Sequence, residues 1–430
     1  MERMKKKLLY AFYGDDFTGS TDVLDSLGLF GVESVLFTRA PSQRTLAAFS
    51  HCRAIGIAGE SRSQNPAWMS RNLPAIFRAL RRLGAPVNHY KVCSTFDSSP
   101  RIGSIGRAIE LGRSVFRSGS VPIVVGAPRL GRAVVFGKLY ATADGEFYRI
   151  DRHPTMRRHP VTPMTEADLR LHLAGQTSLR IGFVDVAAFL SRSVDTQLQS
   201  QEKNAQAIVF DGFNESMLEQ TAHLIWDRGA ARPVFAVGSS GLTHGLLLHW
   251  QAIGLIRFSK RPALAKPVDR LLVLSGSCSP ATANQIRAAK KAGFAALRVR
   301  GGPPWNALRE NALEALQRGQ SVVIYTALGP LRRDERHGKS FGAALGNLLR
   351  RVVAESGVRR VLIAGGDTST HAIKQLGLEA LTFLASLAPG VPLCRAFAPG
   401  SPFDGLECAL KGGQMGSEDF FVRVRDGFAG

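Results

Sequence analysis

The residues Gly365-Gly366-Asp367-Thr368-Ser369 have the composition of an anion-holding turn. They join the apolar run Val361 to Ala364 to a helix-like run, Thr370 to Leu376, so a strand ends in glycines and the chain reopens as a helix. Such a turn leaves backbone N–H groups and the positive end of a helix dipole facing outward. Taken alone it is also ordinary turn chemistry, because Asp or Thr after a glycine pair makes a good N-cap. Two more loops share its character. Ser275-Gly276-Ser277-Cys278-Ser279-Pro280 follows Leu271 to Leu274, with Ser279 suited to an N-cap and Pro280 to the first helical position. Lys411-Gly412-Gly413-Gln414-Met415-Gly416 follows another short strand-like run. Three small-residue loops in one region suggest a polyphosphate cradle, in which the hydroxyls of Ser277, Ser279, Thr368 and Ser369 donate to phosphate oxygens and the glycines admit backbone amides. A Walker A loop is absent. Gly338-Lys339-Ser340 imitates its end, but the glycine position five residues earlier is Arg333 and no strand precedes it closely.

A second set of residues could hold the acceptor. Tyr13-Gly14-Asp15-Asp16-Phe17-Thr18-Gly19-Ser20 lies where a first strand feeds a first helix, the end of a parallel sheet at which ligands bind. The adjacent carboxylates Asp15 and Asp16 could orient hydroxyls, with one accepting a proton during phosphoryl transfer; an N-cap with a solvated neighbour has the same pattern. A dehalogenase-type nucleophile does not fit, since Phe17 stands where the second acid belongs. The segment Lys91 to Gly103 offers cations for a carboxylate, Lys91 and Arg101, and hydroxyls for a polyol, Ser94, Thr95 and Ser98; a serine-rich surface loop before a helix looks similar. Arg152, His153, Arg158 and His159 lie in a proline-rich stretch that must be a loop and either contacts an acidic ligand or packs at the surface. Cys278 has no base assigned to it as a nucleophile.

The elements that position these loops alternate between short β-rich runs and longer helical ones, which predicts α/β architecture with largely parallel sheets. Strands are expected at Leu8 to Tyr13, Ser34 to Phe37, Ala54 to Ile57, Val87 to Val92, Val121 to Val125, Arg180 to Val184, Ala207 to Phe210 and Pro233 to Ala236. Val134 to Asp151 breaks the rhythm as a β excursion. A chain of 430 residues exceeds one core and should divide into two α/β domains. The proline-bearing stretch 258–269 is the expected linker between a domain at 1–257 and another at 270–430.

Composition narrows the class. Apolar residues make up 45% and charged residues 21%, as in globular proteins, and no apolar run reaches the roughly 18 residues that span a bilayer. The basic start followed by Leu8 to Tyr13 is too short for a signal peptide, so a cytoplasmic protein is expected. Five cysteines without a C-x-x-C pair argue against a disulfide framework or a structural zinc site. The net charge of +21 invites a nucleic-acid reading, but the arginines are scattered along helix-like segments, which argues instead for a basic solvated surface. That charge would also attract an anionic metabolite and a nucleotide.

Together, the segments GDDFTGSTD, KVCSTFDSSPRIGSIG, HPVTPM, LSGSCSPATANQI, AGGDTSTHAI and KGGQMGSEDFF resemble the four-carbon acid sugar kinase family, in family order and over nearly the whole chain. The resemblance implies a sugar-acid domain, a nucleotide domain and an active-site cleft between them, with ATP and Mg2+ used to phosphorylate a hydroxyl of a small sugar acid. It implies ATP contacts from Ser277, Ser279, Gly365, Gly366, Asp367, Thr368, Ser369, Gly412 and Gly413. Asp15, Lys91, Ser94, Asp97 and Arg101 would bind the acid, with Asp16 as catalytic base and no metal ligand assigned. Many members read K-x-D-S-T-L-R-G where this chain has KVCSTFDSSPRIG, and G-G-N-F-G where it has Gln414-Met415 after the glycines. Threonate, erythronate and their 3-oxo derivatives are typical substrates, while the KVCSTFDSSP wording resembles the branch acting on 3-oxo-isoapionate. A non-catalytic nucleotide or sugar-acid binding protein is the alternative, ahead of a nucleic-acid-binding protein. The oligomeric state stays open, a homodimer included.

Overall fold

The computed structural model describes residues 7–143, 145–257, 264–299, 305–329 and 339–427, with the side chains of Lys339, Ser340 and Asp367 outside that description. In chain order its first elements are β1 (Tyr10–Gly14), α1 (Phe17–Leu29), β2 (Ser34–Phe37), α2 (Gln43–Ala47), β3 (Ala54–Ala58), α3 (Pro66–Arg82), β4 (Val87–Lys91), α4 (Ile105–Phe116) and β5 (Val121–Val124). There follow β6 (Arg132–Val135), β7 (Lys138–Ala143), β8 (Glu146–Arg149), α5 (Leu169–Ala174), β9 (Ile181–Val184), α6 (Val186–Leu190), α7 (Val194–Glu202), β10 (Ala207–Phe210), α8 (Glu215–Ala231), β11 (Val234–Gly238) and α9 (Ser240–Ala252). The rest comprises β12 (Leu272–Ser275), α10 (Pro280–Lys291), β13 (Ala295–Arg298), α11 (Trp305–Gln317), β14 (Val322–Tyr325), α12 (Lys339–Ser356), β15 (Arg360–Ala364), α13 (Gly366–Leu376), β16 (Ala380–Ala388), β17 (Val391–Phe397), β18 (Glu407–Lys411) and α14 (Phe420–Asp426). The architecture is α/β, as the alternating pattern predicts.

Two compact units form. The first gathers Met1–Asp15, Phe30–Glu33 and Ser42–Phe258, the second Asp16–Leu29, Ser34–Pro41 and Ser259–Gly430. A single cut near the linker does not capture this division, because α1 packs on β16 and β17 and β2 pairs antiparallel with β16. Part of the linker, 258–263, lies outside the described residues, as does Gly338 of the Walker-like triplet.

In the first unit the strands run in the order β3-β1-β4-β11-β5-β10-β9, every neighbouring pair parallel. β1, β3 and β4 are buried at every position, which explains why they carry no hydrophobic alternation. Tyr13 stacks on Tyr90, and Phe77 meets both rings edge-on. The β excursion is a three-stranded antiparallel sheet, β6-β7-β8. Its first turn uses Phe136 and Gly137 at φ 50° and 76°, the two positive angles of a type I′ hairpin. The Asp211 carboxylate accepts both of their N–H groups and that of Val186, which ties the hairpin to the unit. Burial pushes the Asp211 carboxyl up to about 6 despite these bonds.

The second unit has the order β13-β14-β12-β15-β18-β17-β16-β2. The pairs from β13 to β18 are parallel and those from β18 to β2 antiparallel. Its core combines Leu271, Val273, Leu362 and Ala409 with Phe420 and Phe421 of α14. No helix among the described residues is long and apolar enough to cross a membrane.

Candidate functional site

The glycine-rich loops of the second unit follow β12, β15 and β18, which are adjacent and parallel, so all three emerge at one edge of the sheet. Backbone bonds lace their bases together: Gly276 N–H donates to Ala364 O at 3.0 Å and Gly365 N–H to Lys411 O at 2.9 Å. The glycines are required by proximity. A Cβ on Gly276 would lie 2.0 Å from Thr368 Oγ1, and one on Gly413 would lie 2.6 Å from Ser277 Oγ. Gly365 adopts φ 115°, closed to other residues, and caps α13 without a side-chain bond. Ser369 N–H makes the first backbone bond of α13, back to Gly365 O, so the preceding N–H groups of the first turn have no intrahelical acceptor.

The hydroxyls divide into two kinds. Ser369 is fully buried and its hydroxyl donates to Gly365 O at 2.8 Å, which braces the loop. Ser277 Oγ accepts from Ser279 N–H and keeps its own proton to donate. Ser279 Oγ is a buried atom with no hydrogen-bond partner among the described residues. Thr368 is buried beside Gly276, while Asp367 stands in the first turn of α13 with its side chain outside the description. Gly412 and Gly413 lie in a turn closed by Met415 N–H to Gly412 O and held by Thr282 Oγ1, which donates to Gly413 O at 2.7 Å. Gln285 binds the carbonyls of Met415, Gly416 and Ser417. Lys411 is buried at the root of this loop, with Nζ 3.1 Å from Thr282 Oγ1 and over the Phe421 ring. Burial pulls the Lys411 amine down to about 7.

Asp16 also belongs to the second unit. Its Oδ1 accepts Gly19 N–H, the N-cap arrangement, and its Oδ2 lies 3.8 Å from where a Cβ on Gly366 would stand. Thr18 Oγ1, in the first turn of α1, is buried with no hydrogen-bond partner among the described residues. The neighbouring Asp15 is in the first unit, 5% exposed.

In that first unit, Asp15 N–H donates to Lys91 O at 2.9 Å, which sets the acid beside the carboxyl end of β4. Lys91 is buried, with Nζ donating to Val92 O. Ser94 sits half-buried in the turn after β4, and Arg101 is exposed. Asp97 has no exposed side-chain surface and pairs with Arg62 at 2.8 Å. It also accepts from Thr95 and from Thr162 Oγ1, so the KVCSTFDSSP and HPVTP segments meet on this carboxylate. Burial alone would raise the Asp97 carboxyl, but Arg62, His159 and the Thr95 bond hold it below the usual carboxylate range. His153 accepts the N–H groups of Thr155 and Met156 through Nδ1, and His159 accepts that of Thr162 through its own Nδ1.

Residues 10–246 match the family described as Sugar-binding N-terminal domain, and residues 272–421 match Nucleotide-binding C-terminal domain. A 3-oxo-isoapionate kinase of Paraburkholderia graminis is 42% identical over 98% of this chain and 94% of that protein. The chain belongs to the four-carbon acid sugar kinase family. A 3-oxo-tetronate kinase of Pseudomonas savastanoi pv. phaseolicola is 30% identical, over 97% of this chain and 96% of that protein. Among solved structures, one from Salmonella typhimurium LT2 superposes with a TM-score of 0.76 at 25% identity, over 96% of this chain and 98% of that one. One from Haemophilus influenzae, at 23% identity and a TM-score of 0.69 over the same shares, has the same fold.

For this member of the sugar kinase family, sequence reasoning missed several residues at the sites. Arg62 and Thr162 gave no signal, since their shared partner Asp97 is distant along the chain. Gly238-Ser239-Ser240-Gly241 did give one: it repeats the strand, glycine, serine, helix order after β11. Ser239 there is buried and caps α9, and a Cβ on Gly241 would stand 1.8 Å from Gly126 O.

Proposed function

We propose that the protein is an ATP-dependent kinase that phosphorylates a hydroxyl of a small sugar acid, with 3-oxo-isoapionate as the first candidate substrate. The convergence of the Gly276, Gly365 and Gly412 loops at adjacent strand ends carries this reading, because open N–H groups and the unpartnered Ser279 hydroxyl are donors suited to phosphate oxygens. The 42% identity to a 3-oxo-isoapionate kinase, against 30% to a 3-oxo-tetronate kinase, supports the choice of acid.

In this reading Ser277, Ser279, Thr368 and the first turn of α13 bind the polyphosphate. Lys411 sets an amine at the root of the third loop, with no carboxylate paired to it among the described residues, and a bound phosphate would hold it in the charged form. The acid is held in the first unit by Lys91, Ser94 and Arg101 together with Asp15, while Arg62 and Thr162 fix Asp97. Asp16, whose Oδ1 also caps α1, is the carboxylate assigned to accept the proton of the attacking hydroxyl. Thr18 Oγ1, a hard oxygen donor with no partner among the described residues, would be one ligand for Mg2+, together with phosphate oxygens and water. Bound Mg2+ would neutralise charge on the transferring phosphoryl group. The five cysteines are all free thiols, which suits the cytoplasm, where ATP is abundant.

The test is ADP release by purified protein given ATP, Mg2+ and a panel of sugar acids that includes 3-oxo-isoapionate and the 3-oxo-tetronates. Release is expected only with an accepted acid, with the highest kcat/KM for 3-oxo-isoapionate. No release with any acid leaves the non-catalytic binding reading in its place.

A further inference from the structure

In the first unit, His223 and Asp227 of α8 and His249 of α9 bring three ligand atoms within 4.8 Å of one another. The helices place them there for a simple reason. A Cβ on Gly245 would stand 2.4 Å from Leu218 O and 3.2 Å from the Ala222 side chain, so α9 seats directly against α8 at that level. One turn further along α9, His249 reaches the face on which His223 and Asp227 lie as an i, i+4 pair. The His223 and His249 rings are 5.0 Å apart between centroids.

The ordinary account of His223 and Asp227 is an exposed pair of little consequence, since their side chains are 53% and 59% exposed. It does not explain His249. That residue is 5% exposed, and its Nε2 is a buried atom without a hydrogen-bond partner among the described residues. An orphaned imidazole nitrogen costs free energy unless something satisfies it, and a cation between the helices would do so. The spacing suits one. His223 Nδ1 and Asp227 Oδ2 are 3.5 Å apart, close to the edge of about 3.3 Å expected between ligands of a tetrahedral zinc ion with bonds of about 2.0–2.1 Å. Glu219, one turn earlier on α8, adds negative charge that acts on His249.

We propose that His223, Asp227 and His249 form a binding site for a divalent transition metal of the Zn2+ class, which clamps α8 to α9. Two imidazoles and one carboxylate select zinc, copper or nickel over Mg2+, which prefers an all-oxygen shell. The exposed His223 and Asp227 give the ion its entry, and a water completes the coordination. The metal is structural: it lies in the last turn of α9, about 14 Å along the helix from Ser240 at the other end.

The full-length protein, stripped with a chelator and desalted, is titrated with ZnCl2 by calorimetry and with CoCl2 by visible absorption, in millimolar Mg2+. The wild type is expected to take up one Zn2+ equivalent that Mg2+ does not displace, with Tm rising by about 5 °C at saturating zinc. His223→Ala and Asp227→Asn alter exposed side chains, so each keeps the metal-free Tm. Each is expected to lose that equivalent, weakening it about 100-fold or more, together with the zinc-induced rise in Tm. The proposal is overturned if both variants keep the wild-type isotherm and thermal shift, or if the wild type shows no zinc equivalent that resists Mg2+.

Discussion

The loop cluster of the second unit is built from backbone, whereas the strand ends of the first unit are built from charged side chains. Around Gly276, Gly365 and Gly413 the donors are amides and small hydroxyls; close packing admits no Cβ at Gly276 and Gly413, and the φ of 115° disfavours one at Gly365. Around Lys91 and Asp97 the groups are ionic, and most of their capacity is taken up by neighbours: Asp97 alone engages Arg62, Thr95 and Thr162. A backbone cradle suits a ligand common to every member of a family. A side-chain cluster can be rewritten by substitution, which suits an acid that differs from one member to the next. Asp15 and Asp16 mark the division, since the unit boundary falls between them.

Asp16→Asn should break the comparison most sharply. Asn caps helices as well as Asp does, so α1 and Tm should be unchanged, while kcat falls by about 10²- to 10⁴-fold with the loss of the proton acceptor. Full activity in Asp16→Asn would reduce Asp16 to its capping role. Gly365→Ala comes next: φ 115° with a side chain costs on the order of 1–3 kcal/mol, and displacing the first turn of α13 should weaken ATP binding about 10²-fold. A fluorescent ATP analogue and thermal melts read both effects, and unchanged affinity would remove that turn from the nucleotide site.

Asp97→Ala tests the other half. Deleting the buried carboxylate, whose Arg62 partner is 28% exposed, should cost about 1–3 kcal/mol in urea unfolding and leave the KM for ATP unchanged. Because the Asp97 carboxyl sits below its unfolded value, its stabilisation is fully present above the unfolded carboxylate range near pH 4. It is lost as pH falls through the lower folded value, so wild type and variant should converge in acid. Equal stability of the two proteins at neutral pH would count against the Arg62 pairing.

This contrast also governs what the sequence reveals. The α/β class and the three loops are legible because strand, glycine and helix follow one another within a few residues, as at Ala364-Gly365-Gly366. The β excursion is legible from its broken rhythm. The roles of Arg62 and Thr162 are not, since they reach Asp97 across 35 and 65 residues. Nor is the grouping of α1 and β2 with the second unit, which depends on β2 finding β16 more than 340 residues later. Asp16 is intermediate: its N-cap pattern is local, and its closeness to Gly366 is not.

Lys411 gives the smallest expected effect and the finest test of the backbone cradle, because it is a buried amine at the root of that cluster. Burial brings its amine down to about 7, so at pH 8 most of the free protein holds it neutral. A bound phosphate would favour the charged form, and ATP binding at pH 8 should therefore take up close to one proton, falling towards none at pH 6 where the amine is already charged. Calorimetry in buffers of different ionisation enthalpy measures that uptake, which should vanish in Lys411→Met; equal heats in all buffers at pH 8 would remove Lys411 from the phosphate site. Folding carries the same signature with the opposite ligand. The unfolded chain keeps the Lys411 proton up to about 10.5 and the folded chain releases it near 7, so this residue makes stability rise with pH between those values. In Lys411→Met that part of the rise should be missing, whether or not ATP is the ligand, which separates the burial of the amine from its use.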